Sequence, residues 1–266
     1  MDGLKLFYPE DPRPYFQSPK KIRFQKCNQT RAKLFYATHG MNSSPAEIEF
    51  KMNAYQLLKK TKMVLDELGI PFWLSSGTCL GYYRQCDFIT YSGGECSIFW
   101  NQIYINPFET FVILFADVDI GIFAWDYREE MIDAFLMHDL PLIHRFGKPE
   151  DSFELSFRSE HLKLDIFFFY EEEEYYWNGG TQAKTGLKFK YRFPKFELCW
   201  TDFMDLLVRV PWDTLTYIKA NYGSNWQEPI KEWDWKQSPN NVQPNGQWNP
   251  DEWQQVIQLN TFLDIS

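Results

Sequence analysis

The stretch Phe-Val-Ile-Leu-Phe-Ala-Asp-Val-Asp-Ile-Gly-Ile-Phe, residues 111–123, places two carboxylates two positions apart inside a run of strand-forming residues. Side chains alternate between the faces of a strand, so Asp117 and Asp119 share one face with Gly121, while the intervening apolar residues point to the other. Two neighbouring carboxylates suit a hard divalent cation that carries a phosphorylated ligand. Alone, this short pattern is also typical of a solvated pair at the end of a core strand.

A second segment, residues 72–84, predicts a phosphate-binding turn. A short apolar strand ends at Leu74, small residues follow, and a helix then begins near Gly77 and Thr78. The free N–H groups and the positive dipole at a helix start attract phosphate, and a glycine lets the backbone come close. Gly77 and Thr78 are therefore predicted to face the phosphates of a bound ligand.

A third segment, residues 162–170, is a strongly apolar strand that contains one carboxylate, Asp165. Burying an unpaired carboxylate is costly, so a cation or a hydrogen-bond donor is expected beside it. A strand, a Gly-Thr turn with a helix, an Asp-x-Asp strand and a third aspartate on another strand follow the layout of the nucleotidyltransferase fold. We predict an α+β fold with a nucleotidyltransferase-like mixed sheet flanked by helices.

These motifs resemble those of the LicD-like phosphotransferases, in particular the fukutin family. The similar runs extend from about residue 45 to the C-terminus; they are residues 73–81, 117–123, 163–170, 177–186, 221–223 and 241–246. The resemblance implies transfer of ribitol 5-phosphate from CDP-ribitol to a sugar hydroxyl of the O-mannosyl glycan on dystroglycan. It also implies that Asp117 and Asp119 bind the metal, that Asp165 is the third acidic residue, and that Gly77 and Thr78 face the donor phosphates.

The expected cofactor is a divalent cation, Mg²⁺ or Mn²⁺, and the three aspartates are predicted to be both its ligands and the catalytic residues. Arg84 in the first helix and Lys184 in a glycine-rich loop are candidate ligands of the donor phosphates, although each is equally consistent with a surface role. His161 would share a strand face with Asp165 if that strand extended far enough, which makes it a candidate general base.

Composition is consistent with a secretory-pathway enzyme domain. The 266 residues are 44% hydrophobic and can bury a sizeable core. A net charge of −9 argues against a nucleic-acid partner, which would require a basic surface. The family resemblance implies work in the Golgi lumen, with other Golgi glycosyltransferases as further candidate partners. We expect the full-length protein to be a single-pass type II membrane protein whose anchor this chain lacks.

The five cysteines are Cys27, Cys79, Cys86, Cys96 and Cys199, and none forms a C-x-x-C pair. An oxidising lumen permits a disulfide, but the odd count leaves at least one thiol free or paired between chains, and spacing does not select the partners.

The predicted organisation is an irregular lead-in over residues 1–43, the end of a stem region, followed by the catalytic domain over 44–266. The domain begins with a helix that Ser44 and Glu47 cap and that Gly69 ends. A second helix is predicted from about residue 127 to 137.

Residues 94–116 have no counterpart in the family pattern and are predicted to be an anomalous insert. Codons for Gly94-Glu95-Cys96 can contain the splice-donor sequence GTGAGT, and those for 111–117 can form a pyrimidine-rich tract ending in a splice acceptor. Removing the stretch would delete 23 codons (117 − 94 = 23) in frame. Our hypothesis is a retained intron or an error in the gene model, and the alternative is a genuine functional loop.

Three alternative functions stay open. A metal-dependent nucleotidyltransferase would use the same carboxylates but release pyrophosphate rather than CMP. A glycosyltransferase with an Asp-x-Asp site would use sugar nucleotides, although the Gly-Thr helix start argues against it. A non-catalytic scaffold of a Golgi glycosyltransferase complex would not need the acidic residues.

Overall fold

Two helices precede the first strand in the computed structural model, which describes residues 23–40, 43–90, 117–160, 162–230 and 233–260. They are α1 (Gln29–His39) and α2 (Pro45–Glu67). The predicted capping box at the start of α2 is confirmed, because Ser44 Oγ accepts from the Glu47 N–H while Glu47 Oε2 accepts from the Ser44 N–H. Gly69 follows the helix with φ +67°, a conformation that favours glycine.

Helix α1 corrects the prediction that the lead-in is irregular up to residue 43. Asn28 caps this helix, since its Oδ1 accepts a hydrogen bond of 3.0 Å from the Arg31 N–H. A disulfide between Cys27 and Cys86 joins the start of α1 to the end of α3 (Ser76–Gln85), the helix that follows strand β1 (Trp73–Leu74). The domain boundary at residue 44 stays a prediction.

The remaining strands build one large sheet and a separate two-stranded hairpin, with helices between them along the chain. In chain order they are β2 (Asp117–Phe123), a 3₁₀ turn (Ala124–Asp126), α4 (Glu130–Met137), β3 (Leu142–Lys148), β4 (Asp151–Arg158), β5 (Lys163–Glu171), β6 (Tyr175–Thr181), β7 (Leu187–Pro194), β8 (Leu198–Phe203), β9 (Leu206–Pro211), α5 (Thr214–Tyr222), β10 (Val242–Gln247), a 3₁₀ turn (Pro250–Glu252), α6 (Trp253–Val256) and β11 (Ile257–Leu259). The predicted second helix is confirmed as α4, although its regular part begins three residues later than expected.

The sheet is mixed, which confirms the predicted α+β class. Its strands follow the order β10-β7-β6-β5-β4-β3-β11 with antiparallel neighbours. Strand β2 lies alongside β5 in parallel and also pairs with β1 in antiparallel. Strands β8 and β9 form a separate hairpin.

The core face of β2 explains its alternating sequence. Val118, Ile120 and Ile122 are fully buried, whereas Asp117 and Asp119 retain partial exposure on the opposite face. Gly121 has no room for a side chain, because a Cβ there would lie 2.4 Å from Cε2 of the Trp73 ring. The two acidic positions are therefore fixed by packing of the apolar positions between and beyond them.

Cys79 and Cys199 are buried and free. Cys96, His161 and the anomalous segment 94–116 lie outside the described residues. Within the ranges that the structure describes, no helix combines the length and the apolar character needed to cross a bilayer.

Candidate active site

The parallel pairing of β2 with β5 brings the three predicted aspartates together. In this register Asp119 lies beside Asp165, and Asp117 lies beside Lys163. One carboxylate oxygen from each aspartate lies within 4.8 Å of the others. Opposite ligands of a single Mg²⁺ are separated by about 4.2 Å, since each binds at about 2.1 Å, so small side-chain rotations would bring these oxygens onto one ion.

Asp119 is held by the start of α3. The Gly77 N–H donates to Asp119 Oδ2 over 3.0 Å, and the Asp119 N–H donates to Thr78 Oγ1 over 2.8 Å. A Cβ on residue 77 would lie 3.2 Å from Asp119 Oδ2, so glycine allows this close approach. The predicted phosphate-binding turn thus lies against the carboxylates, and its contact with donor phosphates stays a prediction.

Asp165 is buried and both of its oxygens have partners. Ser156 Oγ donates to Oδ1 over 2.6 Å, and Lys163 Nζ lies 2.7 Å from Oδ2. Lys163 Nζ also lies 3.5 Å from Asp117 Oδ2. Among the described residues, Asp117 Oδ1 is buried without a hydrogen-bond partner. This oxygen is a candidate ligand of a cation, because a buried oxygen without any partner costs free energy.

Electrostatics at the site favour added positive charge. Burial raises the pKa of Asp117 to about 9, with a further increase from Asp165 and an opposing effect of Lys163. Burial likewise raises the pKa of Asp119 to about 7, and Asp165 adds to it. Burial alone would lower the pKa of Lys163, but the charges of Asp165 and Asp117 raise it above its usual value. Crowded carboxylates, of which Asp117 and Asp119 have raised pKa values, in a site that offers only oxygen ligands fit a hard divalent cation.

Curated relatives cover almost all of the chain. It is 49% identical over 260 residues to the ribitol-5-phosphate transferase FKTN of Homo sapiens, a match that covers 97% of this chain and 51% of the relative. The protein of the same name in Mus musculus matches at the same identity and coverage.

Over the matched residues, the chain belongs to the fukutin family. An uncharacterized protein of Caenorhabditis elegans is 24% identical over 254 residues, covering 91% of this chain and 60% of that protein. No family model matches the sequence. The chain spans about half the length of the fukutin proteins of mammals that it matches.

The other two predicted phosphate ligands of this fukutin-family chain have partners or positions that do not involve the carboxylates among the described residues. Arg84 is buried, with its guanidinium 4.4 Å from the Phe35 ring centre and Nη2 2.9 Å from Gln85 Oε1. Lys184 is exposed in the turn between β6 and β7. Within the described residues, neither forms an ion pair or a hydrogen bond with the three aspartates, and their donor-binding roles stay predictions.

Sequence reasoning missed a fourth carboxylate on the acidic face. Glu154 on β4 lies opposite Phe167, two residues beyond Asp165, so its side chain projects from the same face of the sheet. Burial raises the pKa of Glu154 to about 8, and the charge of Asp165 adds to the increase. Among the described residues, Glu154 has no hydrogen bond or ion pair through its side chain. Only the antiparallel register of β4 with β5 reveals this position, which no local motif marks.

His144 completes the row of side chains that crosses the sheet. His144 on β3 pairs with Ser156 on β4, and Ser156 in turn pairs with Asp165 on β5. Burial lowers the pKa of His144, with a further decrease from Lys163. The fukutin-family site is thus a polar strip that begins at the carboxylates and continues over β4 to β3.

Proposed function

We propose that this chain transfers ribitol 5-phosphate from CDP-ribitol to a sugar hydroxyl of the O-mannosyl glycan on dystroglycan, with a divalent cation as cofactor. The observation that carries the proposal is the meeting of three aspartates at the start of α3, in a chain that is 49% identical to the human ribitol-5-phosphate transferase FKTN. Action in the Golgi lumen beside other Golgi glycosyltransferases belongs to the same proposal. The disulfide between Cys27 and Cys86 supports an oxidising compartment.

The chemistry follows from where charge develops. The acceptor oxygen forms a bond to the phosphorus of ribitol 5-phosphate, the bond from that phosphorus to the CMP oxygen breaks, and CMP leaves. A bound divalent cation would offset the negative charge on the phosphoryl oxygens. Asp117, Asp119 and Asp165 supply its ligands, and the Gly77 N–H keeps Asp119 oriented toward the site.

The proton of the acceptor hydroxyl needs a base on the same face. Both oxygens of Asp165 are engaged, by Ser156 and by Lys163. Glu154 projects from that face with no hydrogen bond or ion pair among the described residues, so it is the carboxylate left free to accept the proton.

The test is transfer from CDP-ribitol to a phosphorylated O-mannosyl glycopeptide, with and without Mg²⁺ or Mn²⁺. We expect Asp117→Asn and Asp119→Asn to lower the rate by roughly 10²–10³-fold or more while the protein still folds, because the charge at these two positions does not stabilise the fold. Asp202→Asn, which changes an exposed carboxylate on β8, is the matched control and should be fully active. Near-normal metal-dependent turnover by either site variant would refute the metal assignment.

The released product separates the alternatives. CMP supports ribitol-phosphate transfer, whereas pyrophosphate would support a nucleotidyltransferase. A wild-type chain that binds the cation but turns over no donor would favour the role of a scaffold in a glycosyltransferase complex.

A further inference from the structure

Lys163 lies inside the acidic site rather than at its edge. Its backbone pairs with Asp117 across β2 and β5, and it lies two positions before Asp165 on the same strand face. Its Nζ lies 2.7 Å from Asp165 Oδ2 and 3.5 Å from Asp117 Oδ2, and its side chain is only 21% exposed. The ammonium group therefore contacts oxygens from two of the three aspartates.

A count of charges shows why a lysine belongs there. Three ionised carboxylates contribute −3 and one divalent cation contributes +2, so without Lys163 the loaded site would carry −1. A donor with a pyrophosphate group is itself anionic and would be repelled. With Lys163 the three aspartates and the cation sum to zero, so an ionised Glu154 on the same face leaves −1 instead of −2. Among the described residues it is the lysine or arginine that forms ion pairs with these aspartates.

The lysine and a cation need the same oxygens. Asp165 Oδ1 is already held by Ser156, and Lys163 contacts the remaining oxygen of Asp165 as well as Asp117 Oδ2. A ligand role for Asp165 and Asp117 therefore weakens their hold on the ammonium, which sits on a flexible four-carbon stem. Phosphate oxygens are the natural new partners of that ammonium.

We propose that Lys163 is a donor-phosphate ligand that the aspartates hold in place until a divalent cation takes their oxygens. The proposal rests on the proposed function for the identity of the donor. The claim that a cation displaces Lys163 from the aspartates concerns the chain's own residues and holds for any phosphorylated donor.

The test compares Lys163→Met with the wild type in two binding measurements. Calorimetry with Mg²⁺ or Mn²⁺ alone, at about pH 8 where fewer protons compete, should show roughly tenfold tighter cation binding, since a neighbouring positive charge is gone. A divalent cation gains twice as much from this loss as a single proton does, so proton competition does not reverse the sign. With saturating cation, the KM for CDP-ribitol should rise by about 10–100-fold, the loss expected for a charged hydrogen bond.

Two control variants separate charge from structure. Lys188→Met removes a lysine on β7 that pairs with Asp151 over 2.6 Å, and it should change neither affinity more than about twofold. Lys163→Arg keeps the charge and should keep cation affinity near the wild-type value. If Lys163→Met does not fold, the Nζ signal of Lys163 in wild-type NMR spectra must shift when Mg²⁺ is added.

Opposite changes in the two affinities are the signature of the proposal, because a damaged fold would weaken both. Unchanged or weaker cation binding by folded Lys163→Met would overturn it, as would an unchanged KM or a static Nζ signal. A wild type that does not turn over CDP-ribitol would refute the proposed function, while the cation measurement would still decide the role of Lys163.

Discussion

At the scale of single residues, the carboxylates of the site repel one another, and a bound cation would relieve this repulsion. Asp117 and Asp119 have pKa values raised by burial and by Asp165, so the folded protein holds protons more tightly than the unfolded chain does. By linkage, the metal-free protein should lose stability as the pH rises from the ordinary carboxylate range through these raised values. A cation that replaces those protons should stabilise the protein more at high pH than at low pH.

The first prediction follows from the direction of this pH dependence of stability. Thermal unfolding with EDTA should show a Tm that falls between about pH 5.5 and pH 8, and added Mg²⁺ should reverse the fall by several degrees. Asp117→Asn removes one of the buried charges, so its metal-free form should show a weaker pH dependence and gain less from Mg²⁺. A wild-type Tm that responds to Mg²⁺ equally at both pH values would contradict the assignment of these carboxylates to the cation.

At the scale of elements, the sequence was sufficient to predict those features that residues close together in the chain determine. The capping box at Ser44 marks the start of α2, and alternation in β2 marks its acidic face, because both signals lie within a few residues. The position of Lys163 in the site could have been predicted from the sequence, since it lies two positions from Asp165 on the same strand. Glu154 was not, because its place depends on the register of β4 against β5. The disulfide partner of Cys27 depends likewise on tertiary packing.

Helix α1 depends on its covalent link more than on burial. Ala32 is its one buried residue among those described, so little apolar packing holds it to the domain. The bond from Cys27 to Cys86 closes a sequence separation of 59 residues, which corresponds to about 4 kcal/mol in the chain-entropy model.

The second prediction tests this link. The double variant Cys27→Ser/Cys86→Ser should lose about 2–4 kcal/mol of unfolding free energy, measured with urea, because its unfolded chain is less restricted. A reductant should destabilise the wild type by a similar amount and leave the double variant unchanged. Equal sensitivity of both proteins to the reductant would show that another thiol pair is responsible.

At the scale of the whole molecule, β5 organises the sheet around the site. It pairs with β2 in parallel and with β4 and β6 in antiparallel, so the aspartates, Lys163 and Glu154 lie on three neighbouring strands. Seven residue pairs join β2 to β5, and the start of α3 adds hydrogen bonds to Asp119. These interactions, all among described residues, use none from 94–116, the stretch predicted from the sequence to be an anomalous insert.

The last prediction follows from that independence. A chain that joins Gly93 directly to Asp117 should fold, bind Mg²⁺ within about twofold of the affinity of the full sequence, and retain transfer, because every contact with the aspartates that the described residues make remains. Calorimetry with Mg²⁺ checks the site, and the same deletion carrying Asp117→Asn should lose the binding.

Under the retained-intron hypothesis, the mature transcript should lack codons 94–116. A dominant message that contains these codons, together with an active encoded protein, would defeat that hypothesis. Loss of Mg²⁺ binding in the deletion would show instead that residues 94–116 help to build the site.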